Sequence, residues 1–354
     1  MNIAVYFQKP MASEFTGTQR FIVETLFLLI QHQTKHRFII ITDKRYSEQF
    51  SSYPNTEIVI IKPLPKNALL KKIWRDVKLP GILRETGSDI FISVENFCSL
   101  VTPIPQCIVI DNVRKTRISY IKKAKLMLVP NKLMKDELVK KHEIHEERIA
   151  VIYPSPNKTY EVINTEEKEV IKNKYSDDKE FFLFNSIFSG REDLINLLKS
   201  FSHFKKRQQS NFKLLLTAQS NSFFEKSLTD YKYRNDVRFI NAIDIKELVL
   251  ITASAYAVVL PFNENDNMVA TLNAMRSGVP VIAVKNSVVN EIANGAALYA
   301  ETNAIKDVGE KMMQLYTDEN HRSQLIEKGK QAAANYTDEK ATELLWQSIL
   351  KVLE

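Results

Sequence analysis

Between Leu260 and Ala297 the chain reads LPFNENDNMVATLNAMRSGVPVIAVKNSVVNEIANGAA. Four β-branched or aliphatic residues run into Pro261, so a buried strand is expected to end there. A polar loop follows. A helix is expected to begin near Val269 and to stop at Gly278, a residue suited to the left-handed turn that closes helices. Pro280 then leads into a second apolar run, Val279–Val284. The first turn of a helix leaves backbone N–H groups without partners in the helix and carries a partial positive charge. A helix that starts just after a buried strand is therefore a natural seat for a phosphate or diphosphate.

The same alternation extends in both directions. Upstream, strands are predicted at Asn2–Phe7, Arg37–Thr42, Glu57–Lys62, Asp89–Val94, Gln106–Asp111, Lys125–Pro130 and Arg148–Tyr153. Between them, helices are predicted over Thr18–His32, over Asn67–Arg84 with a break after Leu79 at Pro80-Gly81, and over Lys132–Lys141. Then come Pro154-Ser155-Pro156-Asn157 and a polar, charged stretch to Lys179 with no core pattern, which reads as a linker. A second series begins at Glu180–Asn185 and alternates to the motif segment, followed by helices near Ala304–Tyr316, Asn320–Asn335 and Asp338–Leu353. Short strands alternating with helices give a parallel sheet. The expected plan is a first domain over 1–160, a second over 161–335, and a last helix over 336–354 that returns to the first. Ligands of such sheets lie beyond the carboxyl ends of the strands.

Bulk properties narrow the function. The 354 residues are 44% hydrophobic and 26% charged, an ordinary globular balance. The opening MNIAVYFQKP has no basic leader and reads as a strand rather than a signal peptide. The two cysteines, Cys98 and Cys107, fit no metal spacing and no disulfide framework, so a cytoplasmic setting is expected. Net charge is +7, unevenly placed: residues 1–160 hold 25 Lys/Arg against 15 Asp/Glu, and the remainder 24 against 27. Much of the excess lies between Lys62 and Lys141, including Arg75, Lys78, Arg114, Lys115 and Arg117. Such a half can face an anionic membrane or a phosphorylated acceptor; a solvated surface explains it equally well. There is no P-loop, no G-x-G-x-x-G and no G-x-S-x-G.

The motif segment resembles the retaining glycosyltransferases of the GT-B fold, in particular the large family 4, or group 1, type. Asn273-Ala274-Met275-Arg276-Ser277-Gly278-Val279-Pro280-Val281 matches the second half of that family's pattern, and Glu291 with Asn294-Gly295-Ala296-Ala297 resembles its next element. Weaker echoes are Gly17-Thr18-Gln19-Arg20, Val151-Ile152-Tyr153-Pro154 and Val237–Leu248. The resemblance implies an α/β chain of two Rossmann-like doubly wound domains facing a central cleft. It implies a nucleotide diphosphate sugar as donor substrate, no metal and no separate cofactor. It also implies a glycan or lipid-linked acceptor, with work at the inner face of a membrane, and no nucleic-acid partner is expected.

By the same resemblance, Gly17, Ser186, Asn265, Met268, Val269, Asn273 and Glu291 fall on donor-binding positions, and Arg191, Asn265 and Asp111 on catalytic ones. Several depart from the family. Asn265 and Asn273 stand where it has glutamates; an amide still bonds hydroxyls but brings no negative charge to a developing oxocarbenium ion. Asp266 and Met268 replace loop glycines. The expected diphosphate-binding lysine falls at Glu192, with Arg191 as its neighbour. Asp111 follows Ile110 where the family often has His-Asp, and a turn-capping role suits it as well. Two functions are thus in play: hexose transfer with retention in surface polysaccharide or lipopolysaccharide assembly, or a degenerate relative that binds or scaffolds without turnover.

Overall fold

Among the described residues the β-branched and aromatic runs pair only in parallel, as they do when both faces of a sheet are covered. The computed structural model describes residues 1–7, 17–43, 50–61, 68–186, 188, 190–208, 211–217, 222–241, 244–262, 267–285, 287–301 and 304–354. These residues form two units, Met1–Pro154 with Thr337–Glu354, and Ser155–Tyr336.

In the first unit the described strands are Asn2–Tyr6 (β1), Arg37–Thr42 (β2), Thr56–Ile60 (β3), Ile90–Ser93 (β4), Gln106–Val109 (β5), Leu126–Val129 (β6) and Ile149–Val151 (β7). Their order is β3-β2-β1-β4-β5-β6-β7, so the winding reverses between β1 and β4. Register there pairs Ile3 with Ile90 and Tyr6 with Ser93. One face of the sheet packs on the helix Gly17–His32 and on the last helix, Asp338–Leu353, whose Leu345 and Ile349 are fully buried with Leu26, Ile92 and Val109. The other face buries Ile39, Phe91 and Ile108 against Trp74, Leu79, Ile121 and Leu138.

Two features of the first unit differ from the sequence reading. The helix expected to break at Pro80 runs on, from Ala68 to Glu85, through a wider turn at Trp74–Lys78. Pro80 has no N–H to donate and its ring crowds the carbonyl four residues back. Widening the preceding turn, with the Leu79 N–H donating to the Trp74 carbonyl, passes the proline without ending the helix. The boundary also moves: residues 155–160 lie with the second unit, where Tyr160 is buried and its carbonyl accepts from Arg276 Nε at 2.7 Å.

In the second unit the strands are Phe181–Phe184 (β8), Lys213–Leu216 (β9), Val237–Phe239 (β10), Ala257–Leu260 (β11), Val281–Val284 (β12) and Leu298–Ala300 (β13). The order β10-β9-β8-β11-β12-β13 places the reversal between β8 and β11. The supposed linker contains a helix, Thr165–Ser176. Asn164 and Glu167 cap it reciprocally, and only Ile171, Tyr175 and Ser176 are buried. One narrow apolar stripe on a charged helix is a faint periodic signal, which is why composition read it as linker. Among the described residues no helix is long and apolar enough to cross a membrane.

Candidate functional site

Where a parallel sheet reverses its winding, the loops leaving the two adjacent strands diverge to opposite faces and open a crevice at their carboxyl ends. In the second unit those strands are β8 and β11. Asn185 and Ser186 leave β8; Pro261 and Phe262 leave β11; the helix Asn267–Arg276 follows. The Ser186 hydroxyl donates to Asn267 Oδ1 at 2.6 Å, and Asn267 Nδ2 donates to the Phe262 carbonyl. One buried amide thus ties both loops to the first residue of the helix. A short apolar stack backs this junction: the Phe184 and Phe188 rings lie 4.3 Å apart, with Phe262 6.2 Å from Phe184.

The helix starts at Asn267, two residues before the predicted position. Asparagine favours helix starts because its side chain engages polar groups there. That signal was present in the sequence, and the polar run Asn263–Asn267 read as loop up to Val269. The first turn itself carries no acid; Asp266, the preceding residue in sequence, lies outside the described residues. The helix Arg191–Gln208, which follows β8, differs: Glu192 and Asp193 sit in its first turn beside Arg191. The helix Asn267–Arg276 closes as foreseen, with Gly278 at φ +71° and its N–H bonded to the Met275 carbonyl.

Residues 165–332 match the family model described as glycosyl transferases group 1. The chain carries a group 1 glycosyltransferase domain. Over 182 residues it is 25% identical to the O-antigen chain mannosyltransferase RfbU of Salmonella typhimurium. That alignment takes in 51% of this chain and 47% of RfbU, so the chain spans about half the length of the relative it matches. A glycosyltransferase from Rickettsia africae superposes with a TM-score of 0.79 at 13% identity, over 100% of this chain and 98% of that one. HepE of Anabaena, solved in complex with UDP and glucose, superposes with a TM-score of 0.76 at 10% identity, over 99% and 100%. The fold of the chain is GT-B.

Within this glycosyltransferase domain the candidate residues fall into separate settings. Ser186 meets the helix start directly. Met268 is buried and Val269 half-buried. Arg191 is exposed at the head of its helix. Asn273 faces inward instead: it is 7% exposed and its Oδ1 accepts from the Asn157 N–H at 2.8 Å. It thereby fastens the segment that enters the unit. Glu291 is half-buried on the helix Val288–Ala293 and lines a cavity of about 560 Å³ with Asn294, Lys328, Gln331 and Tyr336. Burial, and then the Glu291 charge, raise the Tyr336 phenol above its usual range. Asn265 lies outside the described residues.

In the first unit, Asp111 follows β5. Asn96, in the loop after β4, donates to its Oδ1, and the Asp111 N–H donates to Asn96 Oδ1 at 3.1 Å. Asp111 therefore ties the loop after β5 to the loop after β4, a pairing fifteen residues apart rather than a local turn cap. Gly17 is the first residue of the helix Gly17–His32.

Proposed function

We propose that the chain transfers a hexose, with retention, from a nucleotide diphosphate sugar to a glycan or lipid-linked acceptor. The setting proposed is surface polysaccharide or lipopolysaccharide assembly at the inner face of a membrane. The observation that carries this reading is the Ser186–Asn267 bond at the β8/β11 reversal, beside a helix start with no acid in its first turn. Main-chain amides of Met268 and Val269, with Arg191 nearby in sequence on the β8 side, supply positive potential to a departing diphosphate. Gly17 is the family position that approaches the donor phosphates. Asn265 and Asn273 take the places of the family's glutamates. Asn265 is assigned to sugar hydroxyls, Asn273 to the nucleotide ribose, Glu291 to the donor, and Asp111 to the reacting centre from the first unit. The donor is a substrate; no further cofactor or metal enters the proposal.

The similarity of the matched region to an O-antigen mannosyltransferase supports a sugar-polymer setting. One observation favours the second reading, a relative that binds without turnover: Asn273 spends its acceptor on Asn157. Transfer of radiolabelled sugar from a panel of nucleotide diphosphate hexoses to membrane-extracted or glycan acceptors separates the two. The enzyme reading requires label in the acceptor with the anomeric configuration kept. Donor binding with neither hydrolysis nor transfer to any acceptor would establish the second reading instead.

A further inference from the structure

We infer that the first unit holds an anion site, built to seat a phosphoryl group carried by a saccharide acceptor. The inference rests on the transferase reading for the word acceptor, but the site itself stands on its own geometry. Arg75 lies in the widened turn Trp74–Lys78, a kind of irregularity often found at functional positions. Its guanidinium stacks 4.0 Å over the Phe97 ring, and its Nη1 donates to the Tyr120 hydroxyl at 3.1 Å. Phe97 and Tyr120 are buried, so both partners are fixed. Stacking and one bond hold the guanidinium in place while leaving donors of its planar fork unspent.

Lys115 and Arg117 join Arg75 around one polar cavity of about 220 Å³, closed by Glu95 and Asn96. Among the described residues none of the three cations is in an ion pair. Three positive groups face one carboxylate in the lining, Glu95, with the Asp111 carboxylate bonded behind Asn96, so the pocket keeps an excess of positive charge. Converging cations of this kind are costly to hold together unless an anion joins them. The cavity lies at the carboxyl ends of β4 and β5. Tyr6, the last residue of β1, touches Phe97 across the reversal of the sheet, with ring centroids 4.9 Å apart. A doubly wound sheet places its ligands at this position.

Size and lining decide the ligand. At about 220 Å³ the cavity falls below the usual range for whole organic ligands and matches a phosphoryl group with part of a sugar. A flat anionic bilayer is a poor match for a recess floored by buried Phe97 and Tyr120. Glu95 adds a carboxylate at the rim, which suits a hydroxyl beside the phosphoryl group.

The test is calorimetry on the full chain with a hexose phosphate, the same hexose without phosphate, inorganic phosphate, and phosphatidylglycerol vesicles. The hexose phosphate should bind measurably and the unphosphorylated hexose should not. Arg75→Gln and Arg117→Gln should each weaken hexose phosphate binding at least fivefold. Arg117 is exposed, so its variant keeps the test valid if Arg75→Gln fails to fold. Nucleotide diphosphate sugar binding should be unchanged in Arg117→Gln, which separates this site from the donor site. A chain that binds no donor yet still binds hexose phosphate through these cations defeats the transferase reading and leaves the anion site standing. Equal binding of the two hexoses, wild-type affinity in both variants, or binding confined to inorganic phosphate or to vesicles would overturn the inference.

Discussion

The two sheets share a topology and differ in the chemistry at their carboxyl ends. In the first unit the loops after β4 and β5 are joined by Asn96 and Asp111, and Arg75, Lys115 and Arg117 surround the junction. In the second unit the loops after β8 and β11 are joined by Ser186 and Asn267, neutral groups beside a helix start. A doubly wound sheet specifies where a ligand rests and says nothing of what the ligand is. Side-chain charge does that. One edge carries the cations Arg75, Lys115 and Arg117; the other carries the start of a helix with hydroxyl and amide side chains beside it.

The largest effect separates the units by stability. Leu345→Ala removes a fully buried side chain from the last helix and should cost about 2–5 kcal/mol. Both cysteines are in the first unit, and burial pushes each thiol up to about 12. At pH 8 only about one thiol in 10,000 is then ionised in the native state, so thiol labelling reports opening of this unit. Labelling in denaturant should begin at lower concentration in Leu345→Ala; an unchanged profile would show that the last helix does not hold the first unit together.

A smaller effect probes the second edge. Asn267→Ala strips the Ser186 hydroxyl and the Phe262 carbonyl of their partner and should cost about 1–3 kcal/mol. Donor binding should weaken at least tenfold while hexose phosphate binding by the first unit stays as it was. Donor affinity equal to that of the wild type would remove the junction from the site. Asn273→Ala is expected to have the smallest effect, about 1 kcal/mol of stability from the lost bond to Asn157. It should shift nucleotide and nucleotide-sugar affinities alike; a loss confined to the sugar moiety would contradict the ribose assignment.

Much of this comparison was legible in the sequence, and what was not has physical causes. Apolar runs gave the parallel strands because a strand covered on both faces must be apolar throughout. Gly278 marked the helix end because few other residues adopt its positive φ. The helix Thr165–Ser176 escaped because its buried stripe is only Ile171 and Tyr175 on a charged background. Pro80 misled because a widened turn compensates for it, and that response depends on Trp74 packing against Tyr6, 5.0 Å away, which no local pattern encodes. The basic excess was visible as composition, but the convergence of Arg75, Lys115 and Arg117 needs loops more than thirty residues apart to meet. Asn267 was within reach as a helix-start residue. Its pairing with Ser186, 81 positions away, was not.

The central claim is that the β8/β11 edge receives a nucleotide diphosphate sugar. Calorimetric titration of the full chain with uridine and guanosine diphosphate hexoses, repeated on Arg191→Ala, addresses it most directly. At least one of these donors should bind the wild type, with affinity about tenfold lower in the variant, a difference of about 1.4 kcal/mol. Failure of every donor to bind would contradict the claim, and equal affinity in the two proteins would take Arg191 out of it.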